Sequence, residues 1–333
     1  MYWAGPRSKH LNDQDRAAVR SSMVQLLCSQ HEELIRVQLA ECFFVIARND
    51  FPAQWPTALD EAVHALTNAP NPQSLYGALL AYNQLCKVYR TALNDKDAVV
   101  LEEICNKGMS IVLNLLQETT KQKTPEAYAF AHLAIKTVNY CLYIRVPAFF
   151  KPIATMDSLM QMLLSIAAAE IPAELVHTLY EQRQLKMYEE SVFKHKKWAL
   201  RIVTRIIGQN IKPRGSAAAI KAQKQWNKDT FARYSVPATT LVMSLVASAK
   251  NNVLAMPHYL WYQCFRIISY GIPNKTLYTT LIKPQMPALI GDAILNALKL
   301  APYDLDTWRE DPHAFVAQSL NVLVLSQDYR SQA

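Results

Sequence analysis

Residues 41–66 read ECFFVIARNDFPAQWPTALDEAVHAL, and the way this stretch divides decides the fold. An apolar run ends near Asp50, crosses two prolines and resumes at once as a second apolar run. Pro52 pushes the residue before it out of the α region and so ends one helix. Pro56 fits the first turn of the next, where its missing N–H breaks no intrahelical bond. Two amphipathic helices joined in this way form a repeat unit, and Trp55 is placed to cover the apolar seam between successive units.

Working outward, the same pattern recurs on both sides. Val19, Met23, Leu26 and Leu27 share one side of a helix over 13–30, and Leu34, Val37, Ala40, Phe44 and Ala47 give a second helical stripe. After the prolyl turn come Leu59, Ala62, Val63 and Leu66, a break at NAPNP, and then Leu75, Leu79, Tyr82, Cys86 and Tyr89. A third hairpin opens near Asp97 with Val100, Ile104, Ile111 and Leu115. Its partner helix starts at Thr124, a residue suited to an N-cap, with Pro125 in the first helical position. That partner carries Tyr128, Ala131, Ile135, Val138 and Leu142. First helices thus begin near residues 13, 56 and 97, a period of roughly 40 that falls among those of HEAT and armadillo arrays.

Further helices are expected at about 155–169, 191–208, 229–250, 257–271, 276–300 and 311–325. The fold class predicted is all-α, an α-α superhelix of HEAT or armadillo-like type, built as one continuous array over 1–333. Its hairpins fall at about 13–49, 56–91, 97–144, 155–208, 229–271 and 276–325. Insertions at 170–190 and 208–229 are expected to sit outside the packed array, the second being the basic, low-complexity stretch.

Composition agrees with a folded helical chain: 51% of the 333 residues are hydrophobic and 19% charged. There are only seven glycines, fewer than an α/β enzyme with phosphate loops needs, and they form neither GxGxxG nor a Walker pattern. Six cysteines lie singly, several on apolar helix faces, which favours a reducing compartment. No stretch approaches the roughly 18 apolar residues of a membrane span, so no membrane partner is expected. The eight histidines are scattered, and His31-Glu32-Glu33 lacks the second histidine of a zinc helix, so neither catalysis nor a metal or other cofactor is expected. The pairs Glu32-Glu33, Glu102-Glu103 and Glu189-Glu190 diverge in direction on a helix and read as solvated faces.

One cationic feature stands out. Lys194, Lys196, Lys197, Arg201 and Arg205 form a stripe beside Trp198, a candidate interaction stripe set against the plainer reading that Trp198 packs inward with Ile202 while the charges face water. A net charge of +8 and a pI of about 9.1 raise nucleic acid as a partner, although no other feature of the sequence points to it.

Three segments resemble one family. LIRVQLAECFFVIARNDFPAQWPTALDEAV (34–63) resembles the N-terminal repeats of the importin-β, or karyopherin-β, nuclear transport receptors, most closely the importin-seven and importin-eight group. KHKKWALRIVTRI (194–206) resembles that group's Lys-Lys-Trp-Ala-Leu helix, and DTWREDPHAFV (306–316) its Trp-x-Glu-Asp-Pro junction. The resemblance implies a Ran-dependent import receptor for protein cargo, such as ribosomal proteins or histones. Such a receptor is no enzyme, and it moves between cytoplasm and nucleus through the nuclear pore. It also implies an incomplete chain, with roughly six hairpins against the nearly twenty repeats of such receptors. In that family second helices line the concave face, where GTP-bound Ran competes with cargo, and first helices line the convex face, where Phe-Gly nucleoporins enter apolar gaps. Candidate Ran- or cargo-facing positions are then Arg36, Gln38, Glu41 and Arg48 on one second helix, and Gln84, Lys87 and Arg90 on the next. The rivals are a static HEAT scaffold for a protein complex and, less favoured, a nucleic-acid-binding solenoid.

Overall fold

The computed structural model describes residues 12–92, 94–122, 124–170, 191–208, 216–249, 258–295, 302–313 and 315–316. No strand occurs among them. They group into two compact units, one reaching Leu159 and one running from Met160, with Ser216 grouping with the first.

In the first unit α1 (Asp13–Ser29) and α2 (Glu33–Asp50) precede the prolyl turn, and α3 (Ala58–Thr67) and α4 (Pro72–Tyr89) follow it. Then come α5 (Asp95–Thr120) and α6 (Pro125–Cys141). Short polar residues open several of these helices as expected of N-caps. Asn12 Oδ1 accepts from the Asp15 N–H at 2.7 Å, Asn71 Oδ1 from Ser74 at 2.8 Å, Asn94 Oδ1 from Asp97 at 2.7 Å and Thr124 Oγ1 from Ala127 at 3.2 Å. The Thr124-Pro125 start matches the expectation from sequence.

The turn at 50–57 is built around buried groups. The Asp50 carbonyl accepts from both Gln54 N–H, at 2.7 Å, and Trp55 N–H, at 3.0 Å. Trp55 is 3% exposed and lies 5.1 Å from the Phe43 ring, so the indole closes the α2–α3 junction. The Tyr89 hydroxyl donates to the Phe51 carbonyl at 2.7 Å, tying the turn to the end of α4.

Helix α4 is the hub, packing against α1, α2, α3, α5 and α6. Its approach to α1 depends on Gly77, where a Cβ would stand 2.2 Å from the Leu27 carbonyl oxygen. Asn83 Nδ2 donates to Thr137 Oγ1 at 2.8 Å, a buried bond from α4 to α6, and Tyr82 donates to the Ile104 carbonyl of α5 at 2.7 Å. The α2 stripe expected from sequence is displaced: Leu34 is 79% exposed and Val37 48% exposed, while Ala40, Phe43, Ile46 and Ala47 are buried. Periodicity places residues on a face; only a neighbouring helix decides which turns of that face are covered.

Helix α7 (Ile153–Ala168) leads into the second unit, which holds α8 (Ser191–Ile207), α9 (Ala217–Ala249) and α10 (His258–Gly271). These three pack on one another. Of the first expected insertion, 170–190, all but Glu170 lies outside the described residues, as do 209–215 of the second. The rest of the second is a correction: from Ala217 the chain is already in α9, and Asn227 and Thr230 are buried. The run of alanine, lysine and glutamine there has high helix propensity, which outweighs its weak apolar pattern.

The single helix expected over 276–300 is also modified. Lys275–Leu277 is capped by Asn274, whose side chain accepts from the Leu277 N–H at 2.9 Å. There follow a π turn (Tyr278–Ile282), a 3-10 turn (Lys283–Gln285), a short α segment (Met286–Ala288) and a second π turn (Leu289–Ile294). Pro284 and Pro287 supply no N–H, so the hydrogen-bond ladder changes register around them. A further helix, α11 (Pro302–Glu310), occupies part of the stretch read as a junction.

Candidate protein-interaction site

The second helices α2, α4 and α6 lie side by side, and several of their polar groups meet on one face. Lys87 of α4 donates to Glu41 of α2 at 2.7 Å, and its ammonium sits 4.2 Å from the Phe44 ring centroid. The Arg36 guanidinium lies 4.6 Å over Tyr76, and Arg90 lies 5.8 Å over Tyr140. Gln38 and Arg48 are exposed. Gln84 is the exception: it is buried, with an Oε1 atom that has no partner, because α4 is enclosed by five other helices. It is therefore not available on this face.

Lys136 of α6 escaped the sequence reading. It is half-buried, and its pKa is lowered by burial first and by the nearby Lys87 second, with Glu41 opposing. Its i,i+4 relation to Tyr140 was the available signal. The face thus combines one exposed ion pair, further cations and aromatic rings, an arrangement suited to a protein surface and without the paired acid and base of a catalytic site. Among the described residues no group of three or more His, Cys, Asp or Glu side chains could hold a metal ion, and no helix is long and apolar enough to cross a membrane.

On the opposite element class, first helices α1 and α3, with the loop that follows α3, line an open groove of about 600 Å³. Val24, Cys28, Ala65, Ala69 and Pro70 supply its apolar lining, with Asp60, Glu61 and His64 among the polar groups. Sequence periodicity gave no residues for this groove, because it is formed by two helices thirty or more positions apart.

In the second unit the basic stripe separates into two kinds of residue. Lys196 is 2% exposed. Its Nζ donates to the Ala167 carbonyl at 2.6 Å and to the Ala169 carbonyl, satisfying carbonyls at the C-terminal end of α7. Burial lowers its pKa to about 8, with Cys264 opposing. Lys196 is thus a buried helix cap, contrary to its expected place in an open stripe. Lys194, Lys197, Arg201 and Arg205 are half-buried. Trp198 is half-buried rather than core, with the Arg201 guanidinium 5.3 Å over its ring, while Ile202 is fully buried. The pair Glu189-Glu190 lies outside the described residues. Glu102 accepts from the Ala148 N–H at 2.7 Å, and Glu103 pairs with Lys107 at 3.0 Å, so both have structural partners.

Helical hairpins of this length, with second helices stacked on second helices, define an all-α HEAT-type repeat array. A family model described as "Exportin 1-like protein" matches residues 32–172. The chain is 24% identical to Importin-8 from Mus musculus, over 97% of this chain and 30% of that protein. It is 22% identical to an Importin beta-like SAD2 homolog from Arabidopsis thaliana, over 93% of this chain and 29% of the relative. Its fold is similar to that of the exportin Cse1 in its cargo-free, cytoplasmic state, with a TM-score of 0.74 at 16% identity, covering 99% of this chain and 34% of that one. Along almost its whole length the chain is thus similar to importin-type proteins. It spans about 30% of the length of the Importin-8 relatives it matches.

Proposed function

We propose that this chain is part of a nuclear transport receptor and takes part in Ran-dependent import of protein cargo, moving between cytoplasm and nucleus. The observation that carries the reading is the likeness to Importin-8 along almost the whole chain. The receptor works by binding and release, without catalysis. The α2–α4–α6 face, with Arg36, Glu41, Lys87, Arg90 and Lys136, is the candidate surface for GTP-bound Ran, with Gln38 and Arg48 at its exposed margin. GTPase binding favours one curvature of the array and expels cargo bound to another, a coupling that requires differential affinity for the two states. The α1–α3 groove is the candidate entry for a phenylalanine of a Phe-Gly nucleoporin: its apolar lining and open form suit a single ring held weakly and released quickly.

Titration calorimetry with Ran in its GTP and GDP forms tests the reading. GTP-bound Ran is expected to bind at micromolar strength, because the segment offers only part of a contact spread over several repeats, and the GDP form at least tenfold more weakly. Lys87→Glu is expected to weaken the GTP complex by about tenfold. Equal affinity for both nucleotide forms, or no binding to either, would favour a static HEAT scaffold.

A further inference from the structure

Helices α8 and α10 contain no aspartate or glutamate. They pack alongside one another: Lys197 of α8 reaches the Tyr259 ring of α10 at 4.7 Å, and eleven residues on, just past the end of α8, a Cβ at Gly208 would touch Tyr270. Lys194, Lys197 and Arg201 are spaced to share one side of α8, and Tyr259, Tyr262, Arg266 and Tyr270 one side of α10. The cations are held on rings rather than on carboxylates. Arg201 covers Trp198, Lys197 covers Tyr259, and Arg266 lies 5.4 Å from Tyr262 and 5.6 Å from Tyr270. Among the described residues, Lys194, Lys197, Arg201 and Arg266 form no ion pair.

We infer that the α8–α10 face is a docking surface for an acidic polypeptide segment, whose carboxylates pair with Lys197, Arg201 and Arg266. Like charges one helical turn apart repel, and among the described residues no carboxylate pairs with them; Lys197 shows the effect in a pKa lowered by burial and then by Arg201. An incoming carboxylate neutralises that repulsion. Ring contacts hold the cationic heads in place beforehand, which reduces the ordering cost of binding. Arg201 presents a planar donor fork that matches carboxylate geometry, whereas Arg266 donates from Nη1 to the Tyr262 hydroxyl at 3.2 Å and from Nη2 to the Tyr270 hydroxyl, so it meets a carboxylate with its remaining N–H hydrogens. Nucleic acid fits less well: single strands need open aromatic faces on which bases stack, and Trp198, Tyr259, Tyr262 and Tyr270 are each covered by a cation of the chain itself. The surface has the wrong sign for basic cargo, so it adds a second partner class to the transport reading and does not depend on it.

Fluorescence anisotropy of the full 333-residue chain with a labelled oligoglutamate peptide tests the inference at low and at physiological salt. Lys197→Glu with Arg201→Glu is expected to weaken binding by at least tenfold. The milder Lys197→Gln with Arg201→Gln should weaken it at least threefold while keeping the helical circular dichroism of the parent, and it decides the matter if the charge-reversed chain does not fold. Lys221→Glu with Lys224→Glu makes the same change of net charge on exposed α9 positions and should leave binding within about threefold. Three results overturn the inference: no measurable oligoglutamate binding, an equal loss in the α9 control, or tighter binding of an oligothymidylate of matched length.

Discussion

The Arg20 guanidinium donates to the Asp50 carboxylate at 2.8 Å, fixing the middle of α1 to the last residue of α2. The carboxylate is 5% exposed and the guanidinium 15%, so the pair lies at the edge of the core. Lys87–Glu41 has nearly the same length, 2.7 Å, but its carboxylate is 51% exposed. Asp50→Ala strands a largely buried cation and is expected to cost about 3–5 kcal/mol, whereas Glu41→Ala should cost under about 1 kcal/mol. Urea denaturation of both variants, followed by circular dichroism, checks the contrast; equal losses would show that burial is not what separates the pairs.

Trp55→Ala removes a ring buried against Phe43 and is expected to destabilise by about 3–5 kcal/mol. The indole Nε1 has no hydrogen-bond partner in this site. Trp55→Phe keeps part of the ring volume while deleting that unsatisfied donor, so it should lose less than half as much. Denaturant midpoints of the two variants give the ratio.

Gly77→Ala drives a methyl group into the backbone at Leu27 and Cys28, with separations of 2.2 and 2.6 Å that no rotamer change can relieve. A loss of about 1–3 kcal/mol or more is expected. At Gly291 the added Cβ meets nothing within 4 Å, and Gly291→Ala should be neutral or stabilise by up to about 1 kcal/mol through helix propensity. Thermal melts of the pair distinguish close packing from a general effect of glycine loss.

Lys196 makes stability depend on pH in a defined window. Its folded pKa is about 8 against an ordinary 10.5, lowered by burial. Below about pH 8 the side chain is protonated in both states, and its burial weighs against the fold. Between about 8 and 10.5 the unfolded chain holds the extra proton, so stability rises with pH, by an amount on the order of 3 kcal/mol across the window. The difference in urea stability between the parent and Lys196→Met, followed from about pH 7 to pH 10, should show this rise. A flat difference would mean that the ammonium is not desolvated in the folded chain.

Helical hairpins were legible in the sequence because helix starts and stops are local. Asn12, Asn71, Asn94 and Thr124 cap from within their own first turn, and Pro52 and Pro56 act on adjacent backbone. The burial of Trp55 was legible for a related reason, since a large ring at a prolyl junction has one seam to cover. The start of α9 at Ala217 was missed because its helix propensity is not accompanied by an apolar stripe, and the π and 3-10 turns at 278–294 because they follow from how the ladder reconnects around Pro284 and Pro287.

The candidate sites divide in the same way. Spacing put Glu41, Lys87 and Arg90 at polar positions of second helices, whose candidacy came from the family resemblance, and put Lys197 and Arg201 on one side of a helix, since the 3.6-residue repeat fixes direction within a helix. Spacing could not say that Gln84 is enclosed, that Lys196 reaches back to the carbonyls of α7, or that Lys136 of α6 stands near the Lys87–Glu41 pair. Those outcomes depend on which helix lies beside which, and at what depth, across separations of 27 to 54 residues in such contacts as Lys196–Ala169 and Asn83–Thr137. Sequence sets the direction of a side chain on its own helix; packing between helices decides whether that direction leads to solvent, to a partner or into the core.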